Sequence, residues 1–461
     1  MMEKIHLSDH FTFRKIFRFT ISPILMMLFT SIYWIVDGFF ISNYVGSSAF
    51  AGVNLIFPVI MIVACVGFMF GSGGAAYVSK KLGEQDKEGA NRAFTLITIS
   101  TFVIGLILTG IFFFLVRPIA QAFASINSIE TTKEMIDSAT LYGRIMIGGI
   151  SLYIMQGYFH PFFSVNEKSF HGFLFTLVSG LTNMLLDYLL IGVAKLNVAG
   201  AAIASLSGML ISFVGPLIYF SFGRNHLIHL SRPAKDLKIV LQAAINGSSE
   251  FASNVAGSII NIVFNIQLLK YLGENGVSAY GIIAYVCFVF FAIFIGYSVG
   301  IAPVIGYNYG AKNHAELTNI LRKSLIIVGI VGIVMTTSSI FLSNPFSYIF
   351  ANDYPELHKL TSKAMMIYSF CYLFAGFSMF GSAFFTALSN GLISSIISFC
   401  RTLVFQLIAV FVLPLIMGVD GIWVSIIVAE FLSMAMTMTF MFIYQHRYGY
   451  QIFPKREINT I

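Results

Sequence analysis

The chain has 461 residues, of which 57% are hydrophobic and 10% are charged, with a mean hydropathy of +0.85. Soluble proteins carry about 25% charged residues, so this composition excludes a soluble globular protein. The apolar residues form runs of roughly 20 or more, separated by short charged loops, which predicts a polytopic α-helical membrane protein embedded in a lipid bilayer. Basic loops at the membrane surface account for the net charge of +7, so no nucleic-acid partner is needed.

Twelve membrane-spanning helices are predicted in chain order, in two sets of six separated by a polar loop. The first set lies near residues 15–44, 50–79, 91–116, 134–163, 168–192 and 198–221. The second set lies near residues 237–270, 275–306, 316–343, 360–388, 392–414 and 420–444.

The distribution of basic residues predicts the orientation. Lys and Arg are roughly three times as frequent in the loops on the side of the two termini, as at Lys80, Lys81, Arg322 and Lys323, as on the other side. Cytoplasmic loops carry this excess, so both termini are expected in the cytoplasm and the protein in the cell membrane. The first apolar run is too long for a cleaved signal peptide and is expected to remain.

Four cysteines lie in separate apolar runs without any C-x-x-C spacing: Cys65, Cys287, Cys371 and Cys400. This pattern favours neither a disulfide framework nor a zinc site. We expect all four to be packing residues, and we expect no metal cofactor.

An internal repeat relates the two sets of helices. With Gly83 aligned to Gly310, an offset of 227, the segment SIYWIV at 31–36 falls on SIINIV at 258–263. The segments ending at Gly200 and Gly421 match at an offset of 221. Chance matching in an apolar chain is the alternative. Six helices is an even number, so the repeat predicts parallel halves: an N-terminal lobe at 1–221, a cytoplasmic linker at 222–236 and a C-terminal lobe at 237–461.

Two intramembrane acids are predicted at equal depth. Asp37 lies 19 residues beyond Arg18, and Asp187 lies 19 residues beyond Lys168. Both spans run outward, so at 1.5 Å per residue each acid lies about 28 Å from the inner charges. A charge at a helix centre is costly and usually faces a protein interior or a wet cavity, so the two acids could share one site. The alternative is that either one reaches the outer interface.

In several segments, taken in order, the chain resembles the multidrug and toxic compound extrusion (MATE) transporters. These segments are IYWIVDGFFISNYVG in the first span, GSGGAAYVSKKLGEQDKEGANRAF after Gly71, its echo SVGIAPVIGYNYGAKNHAE from Ser298, and NMLLDYLLIG followed by VAGAAIAS. The resemblance implies two six-helix lobes in a V around a central cavity. It also implies efflux of amphipathic compounds, often organic cations, in antiport with H⁺ or Na⁺, without any other cofactor.

The resemblance also implies a cation-coupling site. MATE proteins use an acid on the first helix and an N-x-x-x-D pair on the fifth, which correspond here to Asp37, Asn183 and Asp187, with Na⁺ possible at the two acids. Ser205 stands where the family usually has a threonine. In the second lobe, NorM-type members carry an acid on helix seven, matched by Glu250, but the acid they add on helix ten is absent. Glu250 could instead be a packing residue bonded to neighbouring polar side chains.

Three aromatic residues, Tyr33, Trp34 and Phe57, are predicted to line a cavity suited to flat organic cations through stacking and cation–π contact. Three further charged residues lie within predicted spans: Glu430, Arg144 and Arg401. Each could have a structural role or a functional one.

Two other classes of protein are alternatives. A lipid or polysaccharide-precursor flippase of the same superfamily would favour several cavity arginines, and only Arg144 and Arg401 are available. An enzyme is not expected, because an H-E-x-x-H motif and paired His and Cys residues at ligand spacing are absent from the sequence. We expect a monomer whose partners are small organic cations and the coupling ion.

Overall fold

The computed structural model describes residues 5–126, 133–223, 226–351 and 354–452. Arg224 and Asn225 of the predicted linker lie outside these ranges. So do residues 1–4 and 127–132 of the predicted N-terminal lobe and residues 352–353 and 453–461 of the predicted C-terminal lobe. The helices of the first half are α1 Phe13–Tyr44, α2 Ser47–Gly83, α3 Lys87–Ile126, α4 Lys133–Gly148, α5 Ile150–Val165, α6 Ser169–Asp187 and α7 Asn197–Phe222. Those of the second half are α8 Lys238–Asn246, α9 Ser248–Gly310, α10 His314–Ala351, α11 Pro355–Tyr368, α12 Tyr372–Ala387, α13 Gly391–Phe399, α14 Phe405–Met417 and α15 Val419–Tyr448.

Ten helical segments in the described ranges are long and apolar enough to cross a membrane. The longest, α9, breaks at Gly273, whose φ of 61° and ψ of −153° reverse the chain, so α9 makes two crossings. The 16-residue helices α4 and α5 follow each other across Gly149 and together make one more. The described helices therefore make twelve crossings, which confirms the all-α polytopic fold predicted from the sequence.

The first and last described residues, 5 and 452, lie on one side of the bundle, which we call the terminal side; the opposite side is the far side. The backbone N–H of Phe11 donates to Glu316 in the first turn of α10 (2.8 Å). The guanidinium of Arg322, one and a half turns later, donates to the carbonyls of Gln451 and Ile452 (3.0 Å each). The assignment of the terminal side to the cytoplasm remains a prediction.

Buried apolar side chains form separate cores in the two halves. Two clusters lie mainly in the first half, one around Ile56 and Ile147 and one around Phe94 and Phe162, and the second of these also takes in Ala243 of α8. The largest cluster fills the second half and also takes in side chains from the start of the chain. The apolar clusters are separate because the helices of each half pack around their own centre.

The polypeptide between the halves packs on the first half. The N–H groups of Ile228, His229 and Ser231 donate to Asn166, Asn91 and Thr95 side chains at 3.1, 2.8 and 2.8 Å. These bonds satisfy backbone donors that no regular structure would satisfy. The connection is therefore docked on its own half over the described residues.

Glycines let the two halves meet at backbone distance on the terminal side. A methyl group at Gly83 would collide with the carbonyl oxygen of Tyr307, and one at Gly310 would collide with the carbonyl oxygen of Lys80. Residues 80 and 307, like residues 83 and 310, are 227 positions apart. The same contact is thus made twice, about the pseudo-twofold axis that the internal repeat predicts.

A second pair of crossings obeys the same offset. Gly73 meets the backbone of Gly247, and Gly300 meets Thr20; residues 73 and 300, like residues 20 and 247, are 227 positions apart. A methyl group added to Gly300 would lie 3.0 Å from Cγ of Pro23. Small residues permit such close helix approach in membranes. The halves are therefore in close contact on the terminal side.

Candidate ion and substrate site

Three helices of the first half bring the predicted coupling residues together. Asp37 on α1 lies within hydrogen-bonding reach of Asp187 and Asn183 on α6 and of Ser205 on α7. All four are buried, with exposed fractions of 4, 0, 2 and 3% in the order Asp37, Asp187, Asn183 and Ser205. The amide of Asn183 donates to the hydroxyl of Ser205 at 3.4 Å. The two acids therefore lie together in one buried site, as their equal depth allowed, and their role in coupling stays a prediction.

The carboxylates of this site lack firm hydrogen-bond partners. Oδ1 of Asp37 and both carboxylate oxygens of Asp187 have no well-formed hydrogen bond within the described part of the chain. Burying such groups without partners is costly, so the site is suited to take up a cation. The available ligand atoms are oxygens, which bind a proton or a hard cation such as Na⁺.

Local helix geometry positions Asp187. The α-helix α6 ends at this residue, and a π-helical turn follows over Tyr188–Val193. Such π turns shift the side chains on either side of them and are frequent at functional sites. The sequence offered no signal for this turn. The sequence also gave no signal for Tyr142 on α4, which is buried and lies near both acids.

A cavity of about 370 Å³ lies between the halves toward the far side. Its walls come from α1, α2, α9 and α10 and are almost entirely apolar: Ile35, Gly38, Phe39, Ser42, Phe50, Tyr285, Val286, Val289, Phe290 and Phe346. The close backbone contacts lie on the terminal side, so the halves are closed there, and the cavity lies toward the far side. A cavity of this size and lining suits a flat, largely apolar molecule.

Helix α1 serves both the acid site and the cavity. Ile35, Gly38 and Phe39 line the cavity, whereas Asp37 points into the first half toward α6 and α7. At 100° per residue, neighbouring positions of one helix face different surroundings. A shift of α1 caused at the acid site would therefore also reshape the cavity wall.

The three predicted cavity aromatics lie beside one another in the first half. Tyr33 is 5% exposed and stacks on Trp34 with ring centroids 5.3 Å apart. Trp34 meets Phe57 edge-on at 5.4 Å and Tyr153 at 5.8 Å. None of the three is among the residues that line this cavity, to which α1 contributes Ile35, Gly38, Phe39 and Ser42. Residue type alone could not tell which face of the helix is turned to the gap between the halves.

Glu250 lies in the first turn of α9, just after the break at Gly247. It is half-buried and lies near Cys65 on α2, beside the point where Gly247 meets the Met69 carbonyl of that helix, so it lies close to the other half. The polar neighbours that a packing role would use bond elsewhere: Ser248 to Ser395 (2.7 Å), Ser249 to Thr386 (3.5 Å), and the Asn254 amide to the Glu250 main-chain carbonyl (2.8 Å). The carboxylate is therefore not held by the bonds expected of a packing residue.

The other intramembrane charges are arranged differently. Nε of Arg401 donates to Oε2 of Glu430 at 2.8 Å, and these side chains are 16 and 1% exposed. The guanidinium also lies over the ring of Phe291 at 5.7 Å. Arg144 is exposed on α4. The two arginines do not form a cluster in the cavity.

Loss of one member of the Arg401–Glu430 pair is expected to destabilise the protein strongly. Glu430→Gln leaves a buried guanidinium without its counter-charge, which typically costs about 3–5 kcal/mol. Thermal unfolding of the purified variant should show a markedly lower Tm. The matched control is Asp420→Asn at the exposed Lys363–Asp420 pair, which should change Tm little because exposed pairs contribute about 0–1 kcal/mol. Equal Tm values for the two variants would contradict a stabilising role for the buried pair.

The described residues contain no group of three or more His, Cys, Asp or Glu side chains placed to hold a metal ion. The four cysteines are free, with Cys65, Cys287 and Cys371 buried and Cys400 half-buried.

A twelve-crossing bundle of two repeated halves, with a cavity between them and a buried acid pair in one half, defines a membrane carrier. Comparison with known proteins gives the family. The model of the MatE family matches residues 23–189 and 250–412. The chain belongs to the MatE family.

Relatives of similar length carry the name multidrug export protein MepA. The protein from Staphylococcus haemolyticus is 24% identical over 419 residues, covering 91% of this chain and 90% of its own. The protein from Staphylococcus saprophyticus is 22% identical over 445 residues, covering 94% of each chain.

Solved structures show the same fold. A MATE protein in complex with MaL6 superposes with a TM-score of 0.90 at 19% identity, covering 97% of this chain and all of the other. An outward-facing multidrug resistance MATE transporter gives 0.89 at 19% identity, covering 97 and 99%. A Pyrococcus furiosus transporter described as having a binding pocket of reverse polarity gives 0.86 at 19% identity, covering 96 and 98%.

Proposed function

We propose that this protein is a secondary active multidrug efflux transporter that exports amphipathic, cationic organic compounds in antiport with a cation. The observation that carries the proposal is the buried pair Asp37–Asp187, placed on the opposite face of α1 from an apolar cavity. The multidrug export relatives support the cargo class. The proposal includes a monomer in the cell membrane with both termini in the cytoplasm, and the lobe boundaries given above.

Cargo binding follows from the chemistry of the cavity. Its wall offers the rings of Phe39, Phe50, Tyr285, Phe290 and Phe346 and very little polar surface. Aromatic faces attract organic cations and stack on flat rings, with about 0.5–2 kcal/mol from each well-placed cation–π contact. Glu250, close to the first half at the closed end of the gap, adds an anionic group that a cationic cargo can approach.

Coupling follows from the position of α1. Two carboxylates within hydrogen-bonding reach cannot both be ionised without strong repulsion, so the pair takes up a cation from the far side. Its neutralisation lets α1 pack more closely on α6 and α7, which moves the cavity wall and drives cargo out. Pro23 lacks a backbone N–H and packs on Gly300 of the second half, so a bend of α1 near this residue is part of the proposal.

The burial of the pair favours a proton as the coupling ion. Side chains that are 0–4% exposed leave little room for the hydration that Na⁺ exchanges for protein ligands. Sodium is the second candidate, because the carboxylates of Asp37 and Asp187 are hard oxygen ligands of the kind that Na⁺ prefers.

A flippase for lipid-linked or phosphate-bearing precursors is the second function considered. Its cargo calls for arginines exposed to the cavity. Arg401 is engaged with Glu430, and Arg144 is exposed on α4 rather than part of the cavity wall. The efflux proposal is therefore better supported.

Proteoliposomes test the proposal. Purified protein is reconstituted, the vesicles are loaded with ethidium, and pH and Na⁺ gradients are imposed separately. We expect dye movement with the pH gradient and none with the Na⁺ gradient alone. An ionophore that collapses the gradient should abolish it. Absence of movement under both gradients, across a broad panel of cationic compounds, would favour the flippase.

Glu250→Gln is expected to impair export several-fold while leaving Tm nearly unchanged. The substitution keeps size and hydrogen bonding but removes the charge that lies close to the first half. Export rate and Tm are measured on the same preparation, with Glu274→Gln in the same α9 helix as an exposed control. A large fall in Tm with Glu250→Gln would instead assign the residue a packing role.

A further inference from the structure

The segment before α1 lies across the terminal side and contacts both halves. It comprises residues 5–12, IHLSDHFT, and we call it the strap. Leu7 and Phe11 are 1 and 0% exposed and belong to the core of the second half. The strap is therefore packed in place, although it has no regular secondary structure beyond a turn.

Two glutamates hold the strap in the same way, one in each half. Nδ1 of His6 lies 2.8 Å from Oε2 of Glu167, and the N–H of Leu7 donates to Oε1 of Glu167 at 2.7 Å. Nδ1 of His10 lies 2.6 Å from Oε2 of Glu316, and the N–H of Phe11 donates to its Oε1 at 2.8 Å. Each carboxylate thus binds a histidine and the N–H of the buried apolar residue after it.

The two glutamates belong to different lobes. Glu167 lies between α5 and α6 of the first half, and Glu316 lies in the first turn of α10 in the second half. They are 16 and 8% exposed as side chains, so their bonds are largely shielded from water. Bonds to a charged acceptor are about twice as strong as neutral ones.

Further bonds join the strap to the second half. The amides of Asn308 and Asn319 donate to the carbonyls of Leu7 (3.3 Å) and Phe11 (3.0 Å). Lys323 donates to the Phe11 carbonyl at 2.7 Å. Leu7 therefore gives its N–H to the first half and its carbonyl to the second.

We propose that the strap fastens the two halves together on the terminal side, and that Glu167 and Glu316 are positioning residues of the export cycle. The inference rests on the proposed function in one respect: an exporter must open its terminal side to load cargo. Opening separates the halves, so the strap must release one glutamate in each cycle. The strap then sets the share of molecules that are open to the terminal side.

The test measures closure directly. Ser79 is 0% exposed and lies against Gly306 of the second half, so a Ser79→Cys thiol reacts with a maleimide only when the terminal side opens. The reaction rate of the parent chain, whose four cysteines are buried or half-buried, is subtracted. We expect Glu167→Ala to speed labelling about tenfold and Glu316→Ala to speed it less, because Asn308, Asn319 and Lys323 still hold the strap on the second half. The double variant should be no faster than Glu167→Ala, because loss of Glu167 already removes the glutamate bonds that hold the strap on the first half.

The control is Glu88→Ala, another terminal-side carboxylate of the first half, whose side chain is 83% exposed and pairs with Arg92. It should leave labelling unchanged. Equal labelling of the control and both strap variants would overturn the proposal, as would additive acceleration in the double variant, which general destabilisation would produce.

If the glutamate variants do not fold, His6→Ala and His10→Ala keep the carboxylates and change only exposed side chains, 54 and 68% exposed. We expect each to speed labelling about threefold, and no change would overturn the proposal. Labelling needs neither cargo nor gradient, so its outcome is independent of whether the protein exports drugs. In an active exporter, the strap variants should also lower the KM for cargo loaded from the terminal side, because the loading state becomes more populated.

Discussion

Asp37→Asn and Asp187→Asn are each expected to reduce gradient-driven export to the level of protein-free vesicles. Asparagine cannot take up a proton, and it leaves the remaining acid without the partner that makes its charge costly. The two acids share one site, so the double variant should be no worse than either single one. The measurement is initial dye efflux from proteoliposomes under a fixed pH gradient.

The matched control is Asp137→Asn on α4, an aspartate that is 51% exposed and 3.8 Å from Arg117. It should export normally. Robust export by Asp37→Asn under a normal pH gradient would remove the acid pair from the coupling mechanism. A double variant with a much larger defect than either single one would mean that the acids act separately.

Gly83→Ala and Gly310→Ala are expected to reduce export at least tenfold, and to similar extents. Each added methyl group meets a carbonyl oxygen of the other half, which belongs to rigid helix backbone and cannot move aside. The terminal side would then fail to close. Gly300→Ala should be milder, because its methyl group meets the ring of Pro23 at 3.0 Å rather than a carbonyl oxygen.

Gly110→Ala is the control, since no atom lies within 4 Å of the position of its added methyl group. It should be neutral or slightly stabilising, because alanine favours helix over glycine by about 1 kcal/mol. Export and maleimide labelling of Ser79→Cys are measured together. Normal export with slow labelling in Gly83→Ala would show that closure does not depend on this crossing.

Much of the fold was predictable because the bilayer allows few kinds of backbone structure. Backbone groups in hydrocarbon must bond within helices, so twelve apolar runs gave twelve crossings. The repeat was predictable because glycine positions are visible in the sequence, and Gly83 and Gly310 turned out to be partners in one symmetric contact. The meeting of Asp37 and Asp187 was predictable from depth, because spans running in the same direction place equally spaced residues at one level.

The remaining features depend on how each helix is rotated about its own axis and on contacts between residues that are far apart in the chain. Tyr33, Trp34 and Phe57 pack against one another within the first half, and hydrophobic content does not reveal which face of a helix is turned to lipid, core or cavity. The π turn after Asp187 and the nearby Tyr142 left no pattern at all. The strap was missed because its partners, Glu167 and Glu316, lie more than 150 residues away.

The doubled glycine crossing gives this single chain the interface of a homodimer. In an isologous dimer, a residue on one subunit meets a given residue of its partner, and the reverse contact is made simultaneously. Here the Gly83–Tyr307 and Gly310–Lys80 contacts have that relationship between two halves of one polypeptide. The described residues of the connection between the lobes dock on the first lobe and are not among the contacts of either crossing, so recognition between the lobes resides in their own surfaces. Two lobes expressed as separate polypeptides should therefore find each other in the membrane.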